Sequence, residues 1–93
     1  MAEILIQVPR FLSNLLKGEK EIRLEAATIR GVIETLTQRY GDDVREKLLD
    51  GEGKLKSVLN VYVNGKNIRF TGGLDTTLNS GDKIAVLPAV AGG

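Results

Sequence analysis

Few side chains of this chain could do chemistry by themselves. The 93 residues include no cysteine and no histidine, which removes disulfides, thiolate nucleophiles, imidazole bases and the usual zinc ligands. Asp42 and Asp43 form a carboxylate pair, but they open a predicted helix, where acidic residues usually complement the helix dipole. The segment "GEGK" at 51–54 has Leu48 and Leu55 where a phosphate-binding loop needs glycine and Ser or Thr. The side chains therefore indicate no intrinsic catalytic centre.

The last residues, "VLPAVAGG" at 86–93, suggest a different kind of chemistry. Gly92 and Gly93 lack Cβ atoms and allow close backbone approach, and the alanines before them keep the segment slim. From Pro88 to Gly93 an extended chain spans roughly 20 Å. A carboxylate is a poor electrophile and is ordinarily activated as an acyl-adenylate, so this terminus suits a narrow ATP site in a partner enzyme. The alternative is a frayed end, which is common for terminal residues.

Composition favours one small domain without a general affinity for polyanions. The chain is 42% hydrophobic, and its 13 basic residues against 12 acidic ones give a formal charge of +1, so no net field attracts nucleic acid or anionic lipid. The opening "MAEILIQVPR" lacks the basic flank and apolar length of a signal peptide, and no run is long enough to span a membrane. We therefore expect a cytoplasmic protein with no nucleic-acid or membrane partner.

Hydrophobic periodicity predicts the first elements that would hold this terminus. Residues 3–8 and 21–25 alternate between apolar and polar types, which predicts two strands. Apolar residues between 29 and 40 follow helical spacing, with Thr28 as a candidate N-cap and Gly41 as a candidate C′ residue. The apolar stripe of this helix consists of Ile29, Val32, Ile33, Leu36 and Tyr40.

A second, shorter helix is predicted at 42–50, followed by a loop at 51–57. Its mixed charges are typical of a solvated surface rather than a binding patch. Gly31 lies inside the first helix, where glycine is about 1 kcal/mol less favourable than alanine. Close packing and simple tolerance both remain open as reasons for this glycine.

The second half of the chain predicts three further strands. Residues 59–63 alternate up to Asn64-Gly65, a pair that suits a type I′ hairpin turn, and "NIRF" at 67–70 is the predicted return strand. A turn-rich segment follows, and "KIAVLPAV" at 83–90 closes as the last strand.

The element order β, β, α, (α), β, β, β favours an α+β fold of the β-grasp type. In this arrangement a mixed sheet of about five strands packs on one main helix, with a short second helix, and the last strand lies beside the first in the middle of the sheet. We therefore predict a domain at 1–88 and a flexible tail at 89–93, with the chain held until about Pro88.

Several motifs resemble the ubiquitin-like sulfur carriers of the MoaD/ThiS family. They are "VYVNG" at 61–65, "NSGDKIAVLP" at 79–88 and the final "VLPAVAGG"; members of the family end in Gly-Gly and share a Gly-Asp turn before the last strand. The likeness covers almost the whole chain. "RFTGGLDT" at 69–76 resembles the branch that supplies sulfur for cysteine biosynthesis, whereas small subunits of molybdopterin synthase often have a second proline in place of Ala89.

The resemblance implies a carrier that is a co-substrate of enzymes and not an enzyme itself. In the family, an enzyme of the ubiquitin-activating type adenylates the terminal glycine, and a sulfur source converts it to a thiocarboxylate. Carried over, Gly93 would bear the sulfur and Gly92 would give access. The chain would bind no cofactor or metal, and ATP would be consumed by the activating enzyme. The implied acceptor is a PLP-dependent cysteine synthase or, as a second choice, the large subunit of a molybdopterin synthase.

A ubiquitin-like fold usually presents an apolar docking patch beside the tail, and two residues are candidates for it. Alternation places Leu87 on the opposite face from Ile84 and Val86, which favours exposure of Leu87. Phe70 and Leu87 could equally belong to the core. The residues expected to contact a partner are Phe70, Leu87, Pro88, Ala89, Val90, Ala91 and Gly92.

Two other functional classes remain open from the sequence. A ubiquitin-like modifier would use the same activated terminus and pass it to lysines of other proteins. A plain interaction module that happens to end in glycines would tolerate truncation at Ala91 without losing any partner.

Overall fold

A computed structural model of the chain describes residues 2–89 and confirms the β-grasp arrangement. The last strand lies in the middle of a mixed five-stranded sheet, parallel to the first strand and antiparallel to the third. The order across the sheet is β2–β1–β5–β3–β4. The strands are β1 (Ala2–Gln7), β2 (Glu21–Ala26), β3 (Leu59–Val63), β4 (Lys66–Asn67) and β5 (Lys83–Pro88).

The main helix, α2 (Ile29–Tyr40), begins and ends as its capping residues predict. The hydroxyl of Thr28 accepts a hydrogen bond from the backbone N–H of Gly31 at 3.2 Å, which satisfies one of the free donors of the first turn. Gly41 has a φ of +112°, a conformation that L side chains rarely adopt, and its N–H donates to the carbonyl of Thr37. One glycine thus terminates α2 and precedes the next helix.

The second predicted helix is α3 (Asp42–Leu48), two residues shorter than expected. Leu49 is extended, with φ −112° and ψ 149°, and forms an isolated β-bridge with Leu55. A further short helix, α1 (Arg10–Ser13), lies between the first two strands and was not predicted. Four residues are too few to display a helical period.

One face of the sheet packs against α2 to form the core. The alternation of the strands and the 3.6-residue stripe of α2 both place their apolar positions on this interface, as predicted. Thr37 is also buried, and its hydroxyl donates to the carbonyl of Ile33 at 2.8 Å, whereas Tyr40 is only half-buried. Buried core residues include Ile4, Ile6, Leu12, Leu16, Ile22, Leu24, Ile29, Val32, Ile33, Leu36, Leu59, Val61, Ile84 and Val86.

Gly31 is tolerated rather than required. A Cβ built at this position would lie 3.5 Å from the Cβ of Ala26 and 3.6 Å from the hydroxyl oxygen of Thr28, which are ordinary van der Waals distances. Its φ is not positive, so neither sterics nor backbone conformation demands glycine in this helix.

The predicted return strand at 67–70 is wrong for most of its length. The strand ends at Asn67, and Ile68–Phe70 form a 3₁₀ turn. The side-chain oxygen of Asn67 accepts from the N–H of Arg69 at 2.9 Å and caps this turn, while Ile68 is buried in the core. Asn64 and Gly65 have φ values of +52° and +86°, as a type I′ hairpin turn requires.

Within residues 2–89, none of the helices has both the length and the apolar character needed to cross a membrane.

Candidate functional site

Strand β5 carries the chain to the point where the predicted tail begins. Its pairing with β3 runs from Ile84 opposite Val63 to Pro88 opposite Leu59. One further hydrogen bond joins the N–H of Ala89 to the carbonyl oxygen of Val58 at 2.6 Å. Backbone bonding therefore holds the chain through Ala89. Val90–Gly93, on which four of the predicted site residues fall, lie outside the described residues.

Proline is compatible with the end of this central strand for a geometric reason. Two hydrogen bonds fix which residue pairs are bonded between β3 and β5. The N–H of Asn64 donates to the carbonyl of Lys83, and the N–H of Ala89 donates to the carbonyl of Val58. Bonding alternates along an antiparallel pair, so Pro88 falls at a position whose N–H points away from β3. On the other side, pairing with β1 has already ended at Ala85. The missing N–H of Pro88 therefore removes no ladder bond.

The predicted docking residues that the structure describes are at the surface. Phe70 is 85% exposed and Leu87 is 49% exposed. The alternative in which both belong to the core is wrong. Pro88 is exposed and Ala89 is half-buried.

Phe70 is displayed on a turn that is tied to the same end of the sheet. The guanidinium of Arg69 donates to the carbonyl oxygen of Leu59 at 3.0 Å, and Leu59 is the partner of Pro88 in the strand pair. The N–H of Thr71 closes the turn by donating to the carbonyl of Ile68 at 3.0 Å. Since its backbone is held in this way, the exposure of the Phe70 ring is a feature of the fold rather than of a loose loop.

Val58 is an exposed apolar residue beside the predicted docking residues, and sequence reasoning missed it. It is 61% exposed, and its carbonyl accepts the bond from Ala89, so it lies beside the start of the predicted tail. The sequence contained the information for this prediction, because successive strand residues point to opposite faces of a sheet. Val58 directly precedes Leu59, and Leu59 and Val61 are buried, so Val58 is expected on the outer face of the sheet. We call the set Val58, Phe70, Leu87 and Pro88 the exit patch.

The outer face of the sheet next to Leu87 is uncharged. Leu87 is opposite Asn60, and Ala85 is opposite Tyr62 on β3 and Gln7 on β1. These outward-facing side chains form a surface that a partner could cover without desolvating a charge. Leu87 thus lies beside a group of uncharged, partly apolar residues, and Glu21, opposite Gln7, and Lys83, two residues before Ala85, bring charge to the same face.

The Gly-Asp turn at the other end of β5 has a structural role. Asp82 is 8% exposed, and its carboxylate accepts hydrogen bonds from the side-chain amide of Asn64 at 2.9 Å and from the N–H of Asn79 at 2.8 Å. The side-chain oxygen of Asn64 in turn accepts from the N–H of Lys83 at 2.9 Å. This network clamps the β3–β4 turn to the first residue of β5. It therefore sets the register of the strand that leads to the tail.

A mixed sheet with its last strand between β1 and β3, packed on one long helix, defines a ubiquitin-like β-grasp protein. The chain belongs to the ThiS family, because the model of that family matches residues 6–93.

Two curated relatives match nearly the whole chain, and a third matches a shorter part of it. A protein of Archaeoglobus fulgidus is 38% identical over 84 residues, covering 90% of this chain and 94% of that protein. The sulfur carrier protein CysO of Mycobacterium tuberculosis is 37% identical over 92 residues, covering 97% of this chain and 98% of CysO. Small archaeal modifier protein 3 of Haloferax volcanii is 36% identical over 67 residues, covering 72% of this chain and 71% of that protein.

Solved structures show the same relationship in three dimensions. The crystal structure of M. tuberculosis CysO superposes with a TM-score of 0.87 at 35% identity, covering 94% of this chain and 99% of that one. CysO of Amycolatopsis orientalis, crystallised in a complex with BexX, also superposes with a TM-score of 0.87, at 36% identity and over 97% of this chain and 99% of that one. The resemblance to the MoaD/ThiS family that the motifs indicated is confirmed.

Proposed function

We propose that this chain is a sulfur carrier of the CysO type, with the sulfur held on Gly93. The observation that carries the proposal is the similarity to CysO along 97% of the chain at 37% identity. The geometry supports it, because the central strand β5 is paired with β3 along its length from Ile84 to Pro88 and carries the chain towards its C-terminal residues. We further propose that residues 89–93 form the tail and that the chain works in the cytoplasm, where a partner enzyme has ATP available.

The activation step needs no side chain of the carrier. A carboxylate oxygen of Gly93 attacks the α-phosphorus of ATP in a ubiquitin-activating-type partner, and pyrophosphate leaves. Sulfide then attacks the acyl carbon, and AMP leaves with the electrons of the broken C–O bond. The product is a thiocarboxylate. The absence of cysteine and histidine from the sequence is compatible with this chemistry, since the nucleophile is made on the terminus itself.

The delivery step uses the thiocarboxylate sulfur as the nucleophile. It attacks an electron-poor carbon of an activated acceptor in the pocket of a second enzyme, and a C–S bond forms. Hydrolysis of the acyl–sulfur bond then restores the Gly93 carboxylate and leaves the sulfur on the acceptor. We propose a cysteine synthase as the acceptor enzyme. The carrier itself binds no cofactor, because a PLP-dependent acceptor enzyme supplies the electron sink.

Docking is assigned to the exit patch and the tail. The chain from Pro88 to Gly93 spans roughly 20 Å when extended, so the patch can contact the rim of a partner's site while the terminus reaches its interior. Burial of one large apolar side chain contributes about 1.5–3 kcal/mol. Phe70 is 85% exposed before binding and therefore has nearly all of its apolar area available.

Intact-protein mass spectrometry tests the proposal. The chain is incubated with ATP, a candidate activating enzyme from the same cell and a sulfide source. We expect a mass gain that matches one oxygen replaced by sulfur, localised to Gly93 by fragmentation. A variant with one alanine added after Gly93 should show no gain, although its thermal unfolding is unchanged. Sulfur incorporation by this extended variant, without removal of the added residue, would contradict the proposal.

The relative from H. volcanii favours a second candidate function. Its name identifies it as a modifier, and it matches 72% of this chain at 36% identity. A modifier would form species of higher mass, joined to lysines of other proteins, and these would disappear when Gly93 is deleted. A single-mass pool of the protein isolated from cells would exclude this second function.

A further inference from the structure

A groove of about 280 Å³ lies on the side of the molecule that carries Phe70. It is bounded by the start of α2, the loop before β3, and two 3₁₀ turns, Ile68–Phe70 and Gly73–Asp75. Its walls are cationic and its floor is apolar. The walls include Arg30, Lys54 and Arg69, and the floor includes Leu55, Ile68 and Leu74.

Each of the two arginines of the groove is held by one contact of its own and keeps its other N–H donors free. The Nε of Arg30 lies 3.3 Å from a carboxylate oxygen of Asp75, and an Nη of Arg69 donates to the Leu59 carbonyl at 3.0 Å. A guanidinium has five N–H donors, so each retains several for a ligand. Among the described residues, neither Arg69 nor Lys54 forms an ion pair.

The loop that carries Lys54 is shaped by Asp50. One carboxylate oxygen of Asp50 accepts from the N–H groups of Glu52 at 2.8 Å and Lys54 at 3.1 Å. The N–H of Asp50 donates to the Lys54 carbonyl at 2.7 Å. The hydrogen bonds from Lys54 and Glu52 lower the pKa of the Asp50 carboxyl. The Asp50 carboxylate is thus engaged by backbone donors, and the backbone of Lys54 is fixed at the rim of the groove.

We infer that this groove receives a partner segment in which carboxylates flank one large apolar side chain. The inference rests on the proposed function, which requires partner proteins. The overall charge of +1 creates no general attraction for acids, so three cations around an apolar floor are a local feature. Carboxylates would pair with Arg30, Lys54 and Arg69, and the apolar side chain would cover the floor.

The position of the groove suits a partner that also holds the tail. Arg69 joins its wall to Leu59, and Leu59 is paired with Pro88 at the end of β5. A protein seated on the exit patch could therefore reach the groove with a neighbouring segment. Nucleic acid fits less well, because a net charge of +1 provides little general attraction for a polyanion.

Nuclear magnetic resonance with a synthetic peptide tests this inference. The ¹⁵N-labelled full chain is titrated with acetyl-Glu-Asp-Leu-Asp-Glu-amide and, as a matched probe, with acetyl-Gln-Asn-Leu-Asn-Gln-amide. We expect saturable shifts of amides at 53–55, 68–69 and 73–74 with the acidic peptide only. No shifts, shifts centred on the outer face of the sheet, or equal shifts with the neutral peptide would overturn the inference.

Charge reversal provides the matched variants. Lys54→Glu and Lys20→Glu change the net charge equally, and both side chains are exposed. We expect Lys54→Glu to weaken binding of the acidic peptide at least about tenfold and Lys20→Glu to change it less than about twofold. Equal weakening by the two variants would show a nonspecific charge effect and would overturn the inference. If an acidic peptide with serine in place of the leucine binds as tightly as the acidic peptide itself, the inference is also overturned.

The thiocarboxylation assay separates this inference from the proposed function. If the groove binds the activating enzyme, Lys54→Glu raises the KM for the carrier, relative to Lys20→Glu, and leaves kcat unchanged. Failure of the unmodified chain to gain sulfur would contradict the proposed function alone. Normal sulfur transfer by the unmodified chain, with the same KM for both variants and no peptide binding, would contradict the groove alone.

Discussion

At the residue scale, Asp82 of the Gly-Asp motif has a structural role. Its buried carboxylate accepts two hydrogen bonds, from the Asn64 amide and the Asn79 N–H. A buried polar group that loses its partner costs about 1–3 kcal/mol. The Gly-Asp turn therefore fixes the start of β5.

We expect Asp82→Ala to lower the free energy of unfolding by about 1–3 kcal/mol, because it leaves the donors of Asn64 and Asn79 unpaired. Urea denaturation followed by circular dichroism measures this change. Asp75→Ala is the matched control, since Asp75 is exposed and its ion pair with Arg30 is worth about 0–1 kcal/mol. An equal loss in both variants would show that the clamp is not the source of the stability.

Gly31→Ala is expected to stabilise the protein by about 0.5–1 kcal/mol. The new methyl group would make ordinary contacts with Ala26 and Thr28, and alanine loses less backbone entropy in a helix. Thermal unfolding by calorimetry measures the gain. Gly65→Ala is the control. We expect this variant to lose stability, because Gly65 has a φ of +86°, which L side chains rarely adopt. A decrease in stability for Gly31→Ala would mean that α2 and β2 approach each other too closely for a methyl group.

At the element scale, the 3₁₀ turn Ile68–Phe70 separates three roles within three residues. Ile68 packs in the core, Arg69 ties the turn to β3, and Phe70 faces solvent. An extended return strand could not have placed these side chains in three different directions, because strand residues alternate between two faces.

We expect Phe70→Ala to raise the KM for the activating enzyme by about tenfold or more, with stability changed by less than about 0.5 kcal/mol. Phe70 is 85% exposed, so the folded state loses little contact, whereas the docked state loses its largest apolar anchor. Steady-state thiocarboxylation assays and urea denaturation together measure both quantities. Lys47→Ala, on the exposed face of α3, is the control. An unchanged KM for Phe70→Ala would remove Phe70 from the docking surface.

At the scale of the whole molecule, the sheet and α2 enclose a small apolar void of about 20 Å³. Its lining includes Val61 from β3 and Val32 from α2, and it contains no polar surface. The void is close to one methylene group in size and is too apolar to hold a water molecule. Packing between the two layers is therefore incomplete at this point.

Val61→Ile is expected to raise the free energy of unfolding by up to about 0.8 kcal/mol, since it places one methylene in the void. Val44→Ile is the matched control. Val44 is fully buried but does not line the void, so overpacking should destabilise that variant by about 1–3 kcal/mol. Urea denaturation measures both variants. A loss of stability in Val61→Ile would mean that the void has the wrong shape for the added group.

Local features of the sequence were sufficient for most of the fold. Thr28 and Gly41 delimit α2 through capping and backbone conformation, and Asn64-Gly65 specifies its turn, because these effects act over a few residues. The prediction failed at 67–70, where β propensity favoured a strand. There the cap from Asn67 and the burial of Ile68 against distant elements determined a 3₁₀ turn.

The sequence by itself determined the alternation of the strands, the stripe of α2 and the lack of thiol and imidazole groups, because each is a property of residue type and spacing. Only the tertiary structure decided which residues surround the start of the tail. Val58 and Leu87 lie at one end of the sheet because β3 and β5 pair there, and Arg69 ties the turn of Phe70 to Leu59 at that end. Arg30, Lys54 and Arg69 line one groove because the start of α2, the loop before β3 and the 3₁₀ turn Ile68–Phe70 pack side by side. Residues so far apart in the chain share a surface only after the sheet has set its register.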